Sequence, residues 1–154
     1  MRLMKKSFTL AFALGLLNSV AMAKDHKKAG KMPNLIPSTD IPWEPLDPSN
    51  PTGAQKYVIS GDMKKASGSL WMLKVPAGTT FPDHGHTADY HAVVIQGNWK
   101  HTFDEKYQGK VEGGPGTTWY QPGKGTMHGD ACLPGGDCII AIQLHGKHDF
   151  IPKK

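Results

Sequence analysis

The chain has 154 residues, with 18 Lys and Arg against 13 Asp and Glu, a formal net charge of +5 and two cysteines. Three of the basic residues, Arg2, Lys5 and Lys6, stand in an apolar N-terminal leader. The rest therefore carries 15 basic against 13 acidic side chains, about +2, which argues against a nucleic-acid partner.

Residues 1–23 combine a short basic start, an apolar stretch and an Ala21-Met22-Ala23 end. That pattern predicts a secretory signal peptide cleaved before Lys24, and hence a periplasmic or secreted protein with no membrane attachment after cleavage. A membrane anchor is the rival reading, but Asn18 and Ser19 interrupt the apolar stretch and no basic stop-transfer cluster follows. About 131 residues remain, the size of one domain with its own core. Lys24, Lys27, Lys28 and Lys31 read as a solvated tail.

Between residues 24 and 53 six prolines exclude a helix or a central strand, which predicts an extended arm. Leu35, Ile36, Ile41, Trp43 and Leu46 are its expected anchors. Residues 54–154 then form the expected domain. Short apolar runs appear at 57–60, 69–75, 90–96, 98–103, 117–120 and 137–144, divided by Gly and Pro clusters. Short strands at this spacing, with no sustained 3.6-residue period, predict an all-β sandwich or barrel. Cys132 and Cys138 flank a Pro134-Gly135-Gly136 turn, and export makes a disulfide between them the expected state. A metal or redox pair is the weaker alternative, because the spacing is not C-x-x-C.

The stretch PDHGHTADYHAVVIQG, residues 82–97, carries His84, His86 and His91. In an extended segment residues i and i+2 share a face, so His84 and His86 can reach one ion; two exposed loop imidazoles are the bland alternative. Val93, Val94 and Ile95 place the pair at the mouth of a buried strand. His128 follows a second turn cluster, from which a neighbouring strand could deliver it to the same interior. Of the remaining candidates, His101 could be an outer donor or face outward, and Asp83 could orient His84 or be a plain turn residue. His145 and His148 are expected to be exposed. Trp71, Trp99, Trp119 and Tyr120 could line a pocket or simply pack.

Gly78, His84-x-His86 and Gly97, followed by Gly116, Pro122 and His128, resemble the two motifs of the cupin superfamily. Within it the chain is similar to small exported single-domain cupins of unknown function, related to the metal-binding cupin half of bacterial anti-sigma factors. The resemblance implies a double-stranded β-helix, the cupin jelly-roll barrel, with a divalent transition metal held by His84, His86 and His128. It also implies a small-molecule ligand or substrate and a possible homodimer. Imidazole ligands do not choose among Fe, Zn, Mn, Ni and Cu.

Two departures from the pattern stand out. Where the superfamily usually places a Glu ligand, this chain has Tyr90 with His91 beside it. His91 is the tentative fourth ligand if a turn at Thr87-Ala88-Asp89 resets the strand parity; Tyr90 points inward if it does not, and a three-histidine site is the remaining alternative. Either way no carboxylate is expected at the ion. The second departure is an extra residue between Pro122 and His128. The implied functions are an oxygenase-type enzyme, or a related lyase or isomerase, and alternatively a non-catalytic ligand-binding or sensing domain. No G-x-S-x-G or phosphate loop competes.

Overall fold

The protein is described here by a computed structural model covering residues 34–103, 109 and 111–154. The leader and the Lys24–Lys31 cluster lie outside the described residues. A single 3₁₀ turn, Ser38–Asp40, precedes eleven strands: β1 Glu44–Pro45, β2 Gln55–Gly61, β3 Ser69–Val75, β4 Thr80–Gly85, β5 Tyr90–Gln96, β6 Trp99–Thr102, β7 Glu112–Gly113, β8 Thr118–Gln121, β9 His128–Cys132, β10 Cys138–Leu144 and β11 Ile151–Pro152. They pair antiparallel in two sheets, of order β1-β2-β3-β10-β5-β8 and β11-β4-β9-β6-β7.

The first sheet is set by period-two alternation. In β3 and β10 every second residue is buried, so Trp71, Leu73 and Val75 face inward with Cys138, Ile140, Ile142 and Leu144. Tyr90, Ala92 and Val94 of β5 join them, and Trp99 and Cys132 of the second sheet close the same core. The inner faces of the two sheets thus share one apolar interior.

Two strands that build the second sheet escape sequence reading. The β4 segment TFPDHG and the β9 segment HGDAC are rich in residues that disfavour strands. Pairing overrides that preference. Thr80 opposes Ala131, Phe81 opposes Asp130, and His84 opposes His128, with a register shift between Phe81 and His84. Pro82 and Asp83 fall in this bulge, where a residue without an N–H costs the ladder little.

Among the described residues of the proline-rich arm, the segment around β1 holds to the domain. Leu46 packs on the core, and β1 pairs with β2 as the edge strand of the first sheet, where the Lys56 ammonium donates to the Pro45 carbonyl at 2.8 Å. Leu35 and Ile36, expected as anchors, are exposed instead, at 86% and 40%. Residues 34–37 belong to no element, so no backbone pairing carries these two side chains to the domain.

The Cys132 and Cys138 Sγ atoms stand at disulfide distance, 2.11 Å, joining the end of β9 to the start of β10 and so one sheet to the other. Closing so short a loop contributes roughly 2 kcal/mol. Replacing both cysteines with alanine is expected to lower the unfolding free energy by that amount, read as a lower urea midpoint. Coincident unfolding curves would remove the bond from the stability of this domain.

Candidate metal centre

The register that sets His84 opposite His128 brings their ring centroids to 4.2 Å. His86, just past β4, lies 5.0 Å from His84 and 5.2 Å from His128 by the same measure. All three are buried, and they offer ligand nitrogens within 4.8 Å of one another. The second turn cluster holds this arrangement, because the Gly125 N–H donates to the His86 carbonyl at 2.9 Å and the Lys124 N–H to the Thr87 carbonyl at 3.0 Å.

The tautomers follow from the partners. Nδ1 of His84 faces the Pro82 carbonyl at 2.8 Å, and Nδ1 of His86 faces the Asp149 carbonyl. A carbonyl accepts only, so each Nδ1 carries the proton and each Nε2 keeps a lone pair. Burial disfavours the charged form and lowers the His84 pKa to about 4, against a smaller opposing effect of the Pro82 hydrogen bond. Burial likewise lowers the pKa of His86 and of His148. Neutral imidazoles at physiological pH are what metal binding needs.

Tyr90 and His91 are separated by the parity of β5. Alternation runs unbroken from Tyr90 to Val94, so Tyr90 is buried and its hydroxyl lies 3.3 Å from His128 Nε2. His91 points to the outer face, where its Nδ1 meets His145 Nε2 at 3.0 Å. The placement of His91 as fourth ligand is corrected accordingly: no bulge resets the strand at this point. Burial, reinforced by the Asp130 carboxylate, pushes the Tyr90 pKa up, so the phenol keeps its proton at neutral pH.

The structure also decides the places of Asp83 and His148. Asp83 does not orient His84; it is exposed and pairs with the Lys153 ammonium at 2.9 Å. His145 is exposed as its position past β10 predicts, but His148 is half-buried. The chain after β10 turns back over the barrel mouth, with the His148 N–H bonded to the Met63 carbonyl at 2.7 Å. This packs the His148 ring 5.5 Å from Trp71 and 5.8 Å from His86. Next to it Asp149 accepts hydrogen bonds from the Thr87 N–H and hydroxyl, and Phe150 stacks on the His84 ring at 4.4 Å.

The residue that sequence reading missed is Asp130, the i+2 neighbour of His128 on β9. Its Oδ1 accepts from His101 Nδ1 at 2.6 Å and from Trp99 Nε1 at 3.1 Å. Burial acts to raise its pKa, but the His101 hydrogen bond and the His128 imidazole outweigh that and hold it well below the usual carboxylate range. The available signal was the spacing His128-x-Asp130, the same as His84-x-His86. His101 is buried as an outer donor, with its Nε2 3.1 Å from Gln121 Oε1.

His84, His86, Tyr90, Asp130 and His148 border a cavity of about 90 Å³ with mainly apolar walls, among them Trp71, Phe81, Trp99, Trp119, Ile140 and Phe150. Tyr120 is exposed on the outer face and takes no part. The Trp71 indole N–H is buried there with no hydrogen-bond partner among the described residues.

The depressed histidines carry a pH signature. Unfolded, these imidazoles protonate near pH 6.5; folded, His84 does so only near 4. Between those values the unfolded chain binds more protons, so their contribution to stability is complete above pH 6.5 and is lost as pH falls toward 4. Calorimetry in chelator should show the melting temperature dropping across that window. A flat profile from pH 7.5 to 4.5 would contradict the buried, neutral state of these rings.

Comparison with solved structures agrees with this architecture. The polyketide cyclase RemF from Streptomyces resistomycificus matches with TM-score 0.60 at 18% identity, over 80% of this chain and 87% of that one. The DMSP lyase DddQ from Ruegeria pomeroyi matches with TM-score 0.57 at 17% identity, over 72% and 60%. KdgF from Halomonas sp. matches with TM-score 0.53 at 19% identity, over 79% and 96%. At these identities the likeness shows the fold alone. No significant relative is found among curated protein sequences. The family profile described as the ChrR cupin-like domain matches residues 31–147, most of the chain. With two antiparallel sheets enclosing the three histidines of both motifs, the chain belongs to the ChrR cupin-like family of the cupin superfamily.

Proposed function

We propose that this is an exported, metal-dependent cupin enzyme acting on a small molecule, of the oxygenase type or a related lyase or isomerase. The observation that carries it is the cluster of three buried imidazoles, two of which, His84 and His86, line a small, mainly apolar cavity. The fold family implies a divalent metal, and the residues fit one: His84 and His86 each keep a lone pair on Nε2, and His128 stands beside them with Nδ1 buried and, among the described residues, without a hydrogen-bond partner. A bound divalent ion would supply Lewis acidity and a template for a chelating substrate.

The chain's own groups do the rest. His84, His86 and His128 hold the ion, Tyr90 offers a protonated phenol at the same place, and the tryptophan walls exclude water and select a compact, largely apolar ligand. The leader sequence and the Cys132–Cys138 pair support export into an oxidising compartment. Homodimerisation is part of the proposal by family resemblance. Lyase and cyclase activities are named for two of the structural neighbours, which keeps non-oxidative chemistry in view.

The test is turnover by the metal-loaded protein. Oxygen uptake and product formation are measured with a panel of 1,3-diketones, thiols and phenols; turnover that stops on adding chelator is expected. The family match to a ChrR cupin-like domain favours one second reading, a metal-holding sensor. Metal-dependent thermal shifts by panel ligands without any turnover would select that reading over the enzyme.

A further inference from the structure

We propose that Asp130 is itself a ligand of this centre, its Oδ2 completing the set begun by His84, His86 and His128. The inference rests on the metal-centre reading above. The carboxylate is divided between two tasks. Oδ1 is clamped by His101 and Trp99, at 2.6 and 3.1 Å. Among the described residues no hydrogen bond of normal length reaches Oδ2, which instead lies 3.4 Å from His128 Nε2 and 3.9 Å from His84 Nε2.

Those distances are longer than a normal hydrogen bond and leave room for an ion between the groups. An N–H···O pair sits at about 2.7–3.2 Å. Two ligand atoms bound to one ion at about 2.1 Å, and spread at the tetrahedral angle, lie roughly 3.4 Å apart. The Oδ2–His128 separation has the second value. The clamp on Oδ1 is also the support a ligating carboxylate needs, since donors behind a ligand fix its direction. Antiparallel pairing adds the geometric reason: His128 and Asp130 are i and i+2 on β9, so both face inward toward β4's His84.

The consequence is a relocated carboxylate. The superfamily position usually given to Glu is held here by Tyr90, a phenol that keeps its proton, while the negative charge arrives from β9. A site of three imidazoles alone would leave the ion's full double charge; with Asp130 the centre carries a single positive charge. A set of three nitrogens and one carboxylate oxygen suits Zn, Fe, Mn or Ni and disfavours Cu(I).

The test is Co²⁺ substitution of the metal-stripped protein, with absorption spectra and competition titrations for wild type, Asp130→Asn and Asp83→Asn. Asp130→Asn is expected to bind Co²⁺ about a hundredfold more weakly and, at saturation, to show shifted d–d bands. Asp83→Asn, which removes an exposed carboxylate nearby, is expected to match wild type in both. Identical d–d bands in Asp130→Asn at saturation would overturn the proposal whatever the affinity, because a residue that only positions a ligand leaves the coordination set intact. Should Asp130→Asn fail to fold, the crystal structure of the zinc-loaded wild type decides: Oδ2 within about 2.2 Å of the ion supports it, and a separation beyond about 3 Å overturns it. Wild type that takes up no metal would sink the centre as a whole, an outcome distinct from loss of Asp130 alone.

Discussion

Replacing His86 with alanine is expected to strip the protein of its metal, while replacing His91 leaves metal content unchanged. Structural zinc sites with four ligands bind with about 10–16 kcal/mol, or roughly 3 kcal/mol per ligand, which corresponds to more than a hundredfold in affinity. His86 meets the requirements of a ligand: it is buried, its Nδ1 is held by the Asp149 carbonyl, and its Nε2 is left with a lone pair. His91 lies on the outer face, paired with His145, in a strand whose parity never resets. Metal content by mass spectrometry after purification, followed by a competition titration, measures both variants. Full metal content in His86→Ala, or its loss in His91→Ala, would reverse the assignment of the two histidines. Far-UV circular dichroism guards against counting a misfolded variant as metal-free.

The second large effect is on stability and concerns the glycine that closes the first motif. Gly97 has φ +79°, and a Cβ built there would stand 2.8 Å from the Asp137 carbonyl oxygen and 2.8 Å from the Cys138 Sγ. Gly97→Ala therefore combines about 1–2 kcal/mol for a left-handed backbone with about 1–3 kcal/mol of overpacking, because the neighbours are main chain and a sulfur joined to Cys132. Gly78 opens the same motif with the same φ, but nothing lies within 4 Å of its Cβ position. Gly78→Ala should cost only the backbone part. Urea unfolding is expected to separate the two variants by roughly 2 kcal/mol; equal losses would show that the crowding at Gly97 relaxes freely.

Where the sequence spoke clearly, it did so through local periodicity. Alternation in residues 69–75 and 90–96, divided by Gly and Pro, was enough for an all-β fold, and the two motifs were enough for the cupin family. The strands β4 and β9 were not legible as strands, since Pro82, Gly85, Gly129 and Asp130 carry no strand preference of their own. They are strands because each has the other to pair with, and such pairing is a contact between residues almost fifty positions apart.

The same division runs through the site. Spacing put His84 and His86 on one face, and the resemblance to the two cupin motifs added His128 as their companion. Tertiary structure decided the remainder. Unbroken parity of β5 sent Tyr90 inward and His91 out, against the expectation of a fourth imidazole. The return of the chain after β10 brought His148, Asp149 and Phe150 over the barrel mouth, although they follow the last strand that the sequence predicts. The antiparallel register of β4 with β9 brought the Asp130 carboxylate to 3.9 Å from the His84 Nε2, across two strands that the sequence did not show as neighbours. Sequence by itself determined which residue types share a face, because that depends only on the two-residue period of a strand. Which faces meet depends on register, on bulges and on where the chain returns, and these are set by pairing between distant segments.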